Sequence, residues 1–233
     1  MSKEEITVVL THGAWADGSS WARVITGLQV RGQRAIAAQL PLTAFEDDVA
    51  ALNRMIRHVD GPVVLVGYAY GGAVIGAAQP GKVLGLAYVA AFVPDEGETV
   101  ADVFFRTEPH PKAPKLAPDA DGFLWMPETA FADAVSPDAS AAHNAVLAAV
   151  QKPVALAAIT TPMRRPLWRD LPSWYLLAEN DLMVSADNQR FMAGRMGATV
   201  VSHPVDHAPQ LSHPDLVVQF IVDAVRGSSA PKK

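Results

Sequence analysis

Apolar residues recur along this chain in two signatures. One is the short, nearly unbroken run rich in Val, Ile and Leu: Ile6 to Thr11, Ala35 to Leu40, Val63 to Val66, Leu84 to Val93, Trp174 to Ala178 and Thr199 to Val201. Such runs lack the strict alternation of a half-solvated strand and suit strands covered on both faces in a parallel sheet. The other signature has helical spacing. Trp21, Val24, Ile25 and Leu28 share one face of a helix that Ser19 or Ser20 can cap and Gly32 ends. Val49, Leu52, Met55 and Ile56 do the same over Glu46 to Val59. Glu46, Asp47 and Asp48 read there as first-turn charge that complements the helix dipole. Further helices are predicted from the glycine-rich turn after Val66 to Ala78, over Ala186 to Met196, and over Pro214 to Val225. Gly227 to Lys233 reads as a frayed tail.

Strand and helix alternate through these portions. That predicts an α/β fold, a mostly parallel sheet flanked by helices. The character changes after Pro94. From there to Pro166 the chain is rich in Pro, Asp and Ala, with helical fragments at Ala139 to Val150 and Val154 to Ile159 and no strand alternation. The expected organisation is a core of residues 1–93 and 167–233, with residues 94–166 inserted as a helical cap.

Composition narrows the classes of function. The 233 residues are half hydrophobic, enough for one full core with an inserted subdomain. The formal net charge is -5 and no block of lysine and arginine appears, so nucleic acid is not an expected partner. The absence of cysteine excludes disulfides and thiolate metal sites. No apolar run approaches the ~20 residues of a membrane span, so no membrane partner is expected. Met1 to Glu5 offers no signal-peptide apolar region, and a cytoplasmic location is the expectation. No feature of the sequence specifies an oligomeric state.

Ligands of parallel α/β sheets bind beyond the carboxyl ends of the strands. His12, Ala69, Asp181 and His207 each follow a predicted strand, so residues distant in sequence converge on one rim. The stretch from Val63 to Val74 has the build of a nucleophile elbow, a buried strand entering a glycine-flanked turn and then a helix. Its working form is G-x-S-x-G. Here it reads Gly67-Tyr68-Ala69-Tyr70-Gly71, and a methyl cannot attack a carbonyl. Asp181, in the turn after its strand, is favoured as a site carboxylate over Glu179 and Asp187, and Asp206 is read as a solvated loop group. The spacing of His203, His207 and His213 fits no metal-binding pattern, so no metal and no organic cofactor is expected. Trp15, Tyr68, Tyr70, Phe92, Phe104, Phe105 and Trp125 are candidates to line an apolar pocket under the cap.

Elbow, Asp181 and His207 stand in the chain order of the α/β-hydrolases. With Thr11-His12-Gly13-Ala14-Trp15, Leu177-Ala178-Glu179-Asn180-Asp181, Gln189-Arg190-Phe191-Met192 and His207-Ala208-Pro209-Gln210-Leu211-Ser212, the sequence resembles a particular branch. It is similar to the small α/β-hydrolases that include plant methylesterases, hydroxynitrile lyases and bacterial esterases, over nearly the whole chain apart from the cap. The resemblance implies that His207 is a general base oriented by Asp181, and that the backbone N–H groups of Ala14 and Tyr70 form an oxyanion hole. It implies that His12 and Gly13 shape the loop presenting the first donor and, with Trp15, Tyr68, Phe92 and Trp125, border the substrate. Ala69 stands where these enzymes carry serine. Plant methylketone synthases, which decarboxylate β-keto acids, look similar in carrying alanine there, as do aminoacrylate-processing proteins of pyrimidine breakdown. The expectation is an enzyme acting on a small carbonyl or ester-like compound by non-covalent acid–base chemistry: decarboxylation, cleavage or formation of a carbon–carbon bond, or water-mediated hydrolysis. The alternatives are a serine esterase or lactonase disarmed by alanine at position 69, and a non-catalytic binding protein for a small ligand.

Overall fold

The computed structural model describes residues 5–229. Residues 1–4, and with them most of the N-terminal leader reading, lie outside the described residues, as do residues 230–233 of the expected tail. The chain runs β1 (Thr7–Thr11), α1 (Ala22–Val30), β2 (Ala35–Ala38), α2 (Phe45–His58), β3 (Val63–Tyr68), α3 (Tyr70–Gly76) and β4 (Val83–Val89). An insert follows with α4 (Val100–Phe104), β5 (Phe123–Leu124), α5 (Glu128–Ala130), α6 (Ala141–Val150), β6 (Val154–Ala155) and α7 (Leu156–Thr160). The chain then returns as β7 (Ser173–Ala178), α8 (Ala186–Met196), β8 (Thr199–His203), α9 (Pro209–Ser212) and α10 (Pro214–Ser228). Six strands form one sheet in the order β2-β1-β3-β4-β7-β8, and every pairing is parallel.

The unbroken apolar runs have a direct cause. Val9, Leu65, Leu86 and Tyr175 pack against α2, α3 and α8 on one face. Their neighbours Val8, Leu10, Val64, Val66, Ala87 and Leu176 pack against α1 and α10 on the other. Both faces are covered, so a residue of either parity is buried. All strands point the same way, so the segments after β1, β3, β7 and β8 emerge on one rim.

The structure departs from the sequence expectations in places. The start of α1 is a 3-10 turn, Gly18–Trp21, capped by the Asp17 carboxylate accepting from the Ser19 N–H at 2.7 Å, so neither serine caps it. The apolar run expected as a strand to Val93 leaves the sheet at Val89, because Ala90 turns to φ +44°. The helix α10 runs on to Ser228, through the first residues of the expected tail. The insert is not wholly helical. Leu124 pairs with Val154 and Phe123 with Ala155 in an antiparallel ribbon. Two residues per strand are too few to show a period. No helix among the described residues is long and apolar enough to cross a membrane.

Two backbone features hold the rim. At the turn after β3, a Cβ on Gly67 would sit 2.6 Å from the Gly71 carbonyl oxygen, and one on Gly71 would sit 2.5 Å from that of Thr11. In the loop after β1, His12 is fully buried, bonded through Nδ1 to the Gly13 carbonyl (2.8 Å) while Nε2 accepts from the Leu40 N–H (3.0 Å). Those partners require the neutral Nδ1–H ring, and burial lowers its pKa from 6.5 to about 4.

Gly71→Ala is expected to destabilise the fold by about 1–3 kcal/mol through backbone overlap. Gly194→Ala in α8, where a Cβ meets nothing within 4 Å, should be neutral or stabilising by up to about 1 kcal/mol. Urea denaturation of the two variants checks the contrast. His12 makes stability depend on pH. The unfolded chain takes up the proton near 6.5 and the folded chain only near 4, so stability is full above 6.5. It falls by about 3 kcal/mol as pH drops through this window. His12→Gln should flatten that slope relative to the parent chain; equal slopes would show that another group carries it.

Candidate active site

The elbow is built by close approach. The strand β3 ends at Tyr68, α3 begins at Tyr70, and Ala69 between them takes φ +47° and ψ -118°. Its carbonyl accepts from the Gly72 and Phe92 N–H groups, both at 3.0 Å. The loop after β1 lies directly over it: a Cβ on Gly13 would come within 3.1 Å of the Ala69 methyl and the Tyr68 ring. That contact brings the next residue, Ala14, beside the elbow. Among the described residues the backbone N–H groups of Ala14 and Tyr70 have no hydrogen-bond partner inside the protein. The second stands at the N-terminus of α3, where the helix dipole favours negative charge.

The imidazole of His207, in the loop after β8, meets Asp181, in the turn after β7, at 2.8 Å between Nδ1 and Oδ2. Both side chains are almost wholly buried, at 6% and 0% exposed. A buried carboxylate needs all its lone pairs engaged, and here they are. The Met183 and Val184 N–H groups donate to Oδ1 at 2.8 Å each, and Gln189 Nε2 donates to Oδ2 at 2.9 Å. With Nδ1 committed to Asp181, Nε2 is the ring nitrogen left for proton exchange. The neighbouring acids are engaged elsewhere, Glu179 with Arg190 and Ser202, and Asp187 with Arg190. The Tyr68 ring lies 5.1 Å from that of His207, and burial pushes its hydroxyl pKa up.

Ala14, Trp15, Tyr68, Ala69, Tyr70, Phe92 and His207 line one cavity of about 840 Å³. The insert supplies the remaining wall, including Phe104, Phe105, Leu124, Met126, Phe131 and the proline-rich run around His110 and Lys115. Three expected lining residues lie elsewhere. His12 is the buried strut beneath the loop, and Gly13 is its close-packed backbone. Trp125, just after β5, faces solvent at 52% exposed between the buried Leu124 and Met126, with its indole N–H donating to Asp119 at 2.9 Å.

Asp48, read as first-turn charge of α2, and Asp206, read as solvated, are both buried. Asp48 accepts from the Tyr70 hydroxyl (2.6 Å) and the Leu42 N–H (2.7 Å), and burial raises its pKa. Asp206 accepts from Ser212 Oγ (2.7 Å), the Ala208 N–H (3.2 Å) and the Asp138 N–H (3.1 Å), and burial raises its pKa too. It thereby fastens the His207 loop to the insert. Asp138, Asp206 and His213 bring ligand atoms within 4.8 Å of one another, a grouping the histidine spacing did not reveal. None of the three lines the cavity. Gln189 was legible only as part of a motif. Its place one helical turn after Ser185, the cap of α8, turns its amide back onto Asp181.

Comparison with known proteins identifies the family. The sequence matches the Alpha/beta hydrolase family over residues 8–220. The alpha/beta hydrolase nvfD of Aspergillus novofumigatus is 26% identical over 93% of this chain and 95% of its own length. The pyrethroid hydrolase of Sphingobium wenxiniae is 25% identical over 93% of this chain and 86% of its own. In structure, tomato methylketone synthase I, solved as an H243A variant with beta-ketoheptanoate, superposes with a TM-score of 0.82 at 16% identity. That match covers 97% of this chain and 100% of the tomato chain. The chain belongs to the alpha/beta hydrolase family.

Proposed function

We propose that this protein is an enzyme that transforms an apolar carbonyl compound, an ester or a β-keto acid, without a covalent intermediate. The supporting observation is the buried Asp181–His207 pair, whose imidazole lines the same cavity as Ala69 and as Ala14 and Tyr70, the residues with the two unpartnered N–H groups. In hydrolysis, His207 Nε2 takes a proton from water as the hydroxide oxygen bonds to the carbonyl carbon. The oxyanion rests on the Ala14 and Tyr70 N–H groups. It collapses as the alcohol leaves with the proton from His207. In decarboxylation, the bond to the carboxylate breaks, carbon dioxide departs, and the electron pair passes to an enolate on the same two donors. The α-carbon then takes the proton that His207 Nε2 had accepted from the substrate's carboxyl group. Proton transfer of this kind supplies about 10²–10⁴-fold, and one oxyanion donor about 10²–10³-fold.

The substrate expected from sequence was small. A cavity near 840 Å³ accommodates a drug-sized molecule, so the reading shifts to a bulky, largely apolar compound. The pyrethroid hydrolase relative supports the ester arm and the methylketone synthase likeness the β-keto acid arm. A second reading, a serine esterase disarmed at position 69, draws support from one fact. Ala69 holds the backbone angles of a working elbow, although alanine gains nothing from them.

His207→Ala is expected to lower turnover of any substrate found by screening esters and β-keto acids by about 10²–10⁴-fold; unchanged turnover would show that the Asp181–His207 pair is idle. Ala69→Ser separates the two enzymatic readings. A gain of about 10³-fold or more in hydrolysis of p-nitrophenyl esters would mark a disarmed esterase, and no gain would favour the non-covalent reading.

A further inference from the structure

The insert's ribbon reaches the elements bearing both unpartnered N–H groups. On one side, the Trp15 indole N–H donates to the Leu124 carbonyl of β5 at 2.9 Å, and Trp15 directly follows Ala14. On the other, the Ala155 N–H of β6 donates to the Leu42 carbonyl at 2.9 Å. The Leu42 N–H donates to Asp48 Oδ1 at 2.7 Å, and Asp48 Oδ2 accepts from the Tyr70 hydroxyl at 2.6 Å. The ribbon pairing of Leu124 with Val154, and of Phe123 with Ala155, closes the path. Among the described residues, four non-glycine positions have positive φ: Trp15, Leu42, Ala69 and Ala90. Two of them, Trp15 at +57° and Leu42 at +63°, are the points where the ribbon attaches. Strained residues persist where surrounding contacts over-determine them. Leu124 also lines the cavity, so the ribbon from which both hydrogen-bond paths start borders the site.

We propose that the β5–β6 ribbon positions the oxyanion hole. Through the Trp15 indole it holds the loop carrying Ala14, and through Leu42, Asp48 and the Tyr70 hydroxyl it holds the first turn of α3. The two donors are then set at one spacing only while the insert is seated. Trp15 and Asp48 are positioning residues, as is the phenol of Tyr70. The inference rests on the reading that the Ala14 and Tyr70 N–H groups receive developing negative charge. It adds that the insert controls their separation as well as shaping the pocket.

The test is crosswise. Trp15→Phe removes the indole N–H and keeps an aromatic ring, and Tyr70→Phe removes only the hydroxyl. In ¹⁵N-labelled protein, Trp15→Phe is expected to shift or broaden the amide signal of Tyr70, and Tyr70→Phe that of Ala14. Tyr88→Phe removes a buried hydroxyl that has no partner among the described residues and should move neither. If each substitution disturbs only the donor beside it, the ribbon is not a coupling element and the proposal fails. In an Ala69→Ser background, each is also expected to lower kcat for p-nitrophenyl esters about tenfold with KM within about twofold. A change confined to KM would assign these residues to binding and overturn the proposal. If that background turns over no ester, the crosswise amide signals alone decide the coupling.

Discussion

The rest of the site depends on one backbone turn. Ala69 sits at φ +47°, in a region that disfavours residues with a side chain and costs of order 1–3 kcal/mol. The turn exists because Gly67, Gly71 and Gly72 let strand, helix and neighbouring loop approach to distances that a Cβ would forbid. Relaxing it would move the start of α3, and with it the Tyr70 N–H. It would also move the Thr11–His12 backbone, which rests against Gly71, and so displace Ala14. Strain at residue 69 therefore sets the position of two donors that carry no side-chain chemistry of their own.

Around that turn the molecule buries more polar chemistry than its composition advertises. Asp181, Asp48, Asp206 and His12 are all nearly inaccessible to water, and each is satisfied by designated partners. Buried groups of this kind are costly when half paired and rigid when fully paired. Each one fastens a different loop on the same rim. Asp181 holds the turn after β7, Asp206 the loop after β8, Asp48 the first turn of α3, and His12 the loop after β1. The sheet supplies common direction, and these four groups supply position.

Much of this was legible beforehand, for identifiable reasons. Strands buried on both faces write themselves as unbroken apolar runs, and the steric demands of the elbow write themselves as glycines at 67, 71 and 72. Asp181 was favoured over Glu179 and Asp187 for its place in the turn after the strand, and it is the one of the three that bonds His207. Partnerships between distant segments left no local mark. Asp48 looks like helix-start charge until Tyr70 and Leu42 are folded against it. Asp206 looks solvated until Ser212 and Asp138 close over it. A ribbon of two-residue strands is shorter than any period, so Trp125 could not be assigned a side. His12 was rightly drawn to the rim by its strand-end position, but whether it faces inward or lies beneath depends on Leu40, 28 residues away.

The cavity has a thermodynamic consequence of its own. Its walls come from the elbow, the loop after β1 and the insert together, so the pocket exists only while all three are assembled. Any occupant therefore favours the native ensemble by mass action, by about 2.7 kcal/mol at a hundredfold excess over Kd. Heat resistance becomes a reporter of occupancy that requires no bond to be made or broken. For a protein whose elbow carries a methyl, compound libraries can thus be ranked by melting temperature before any reaction is known.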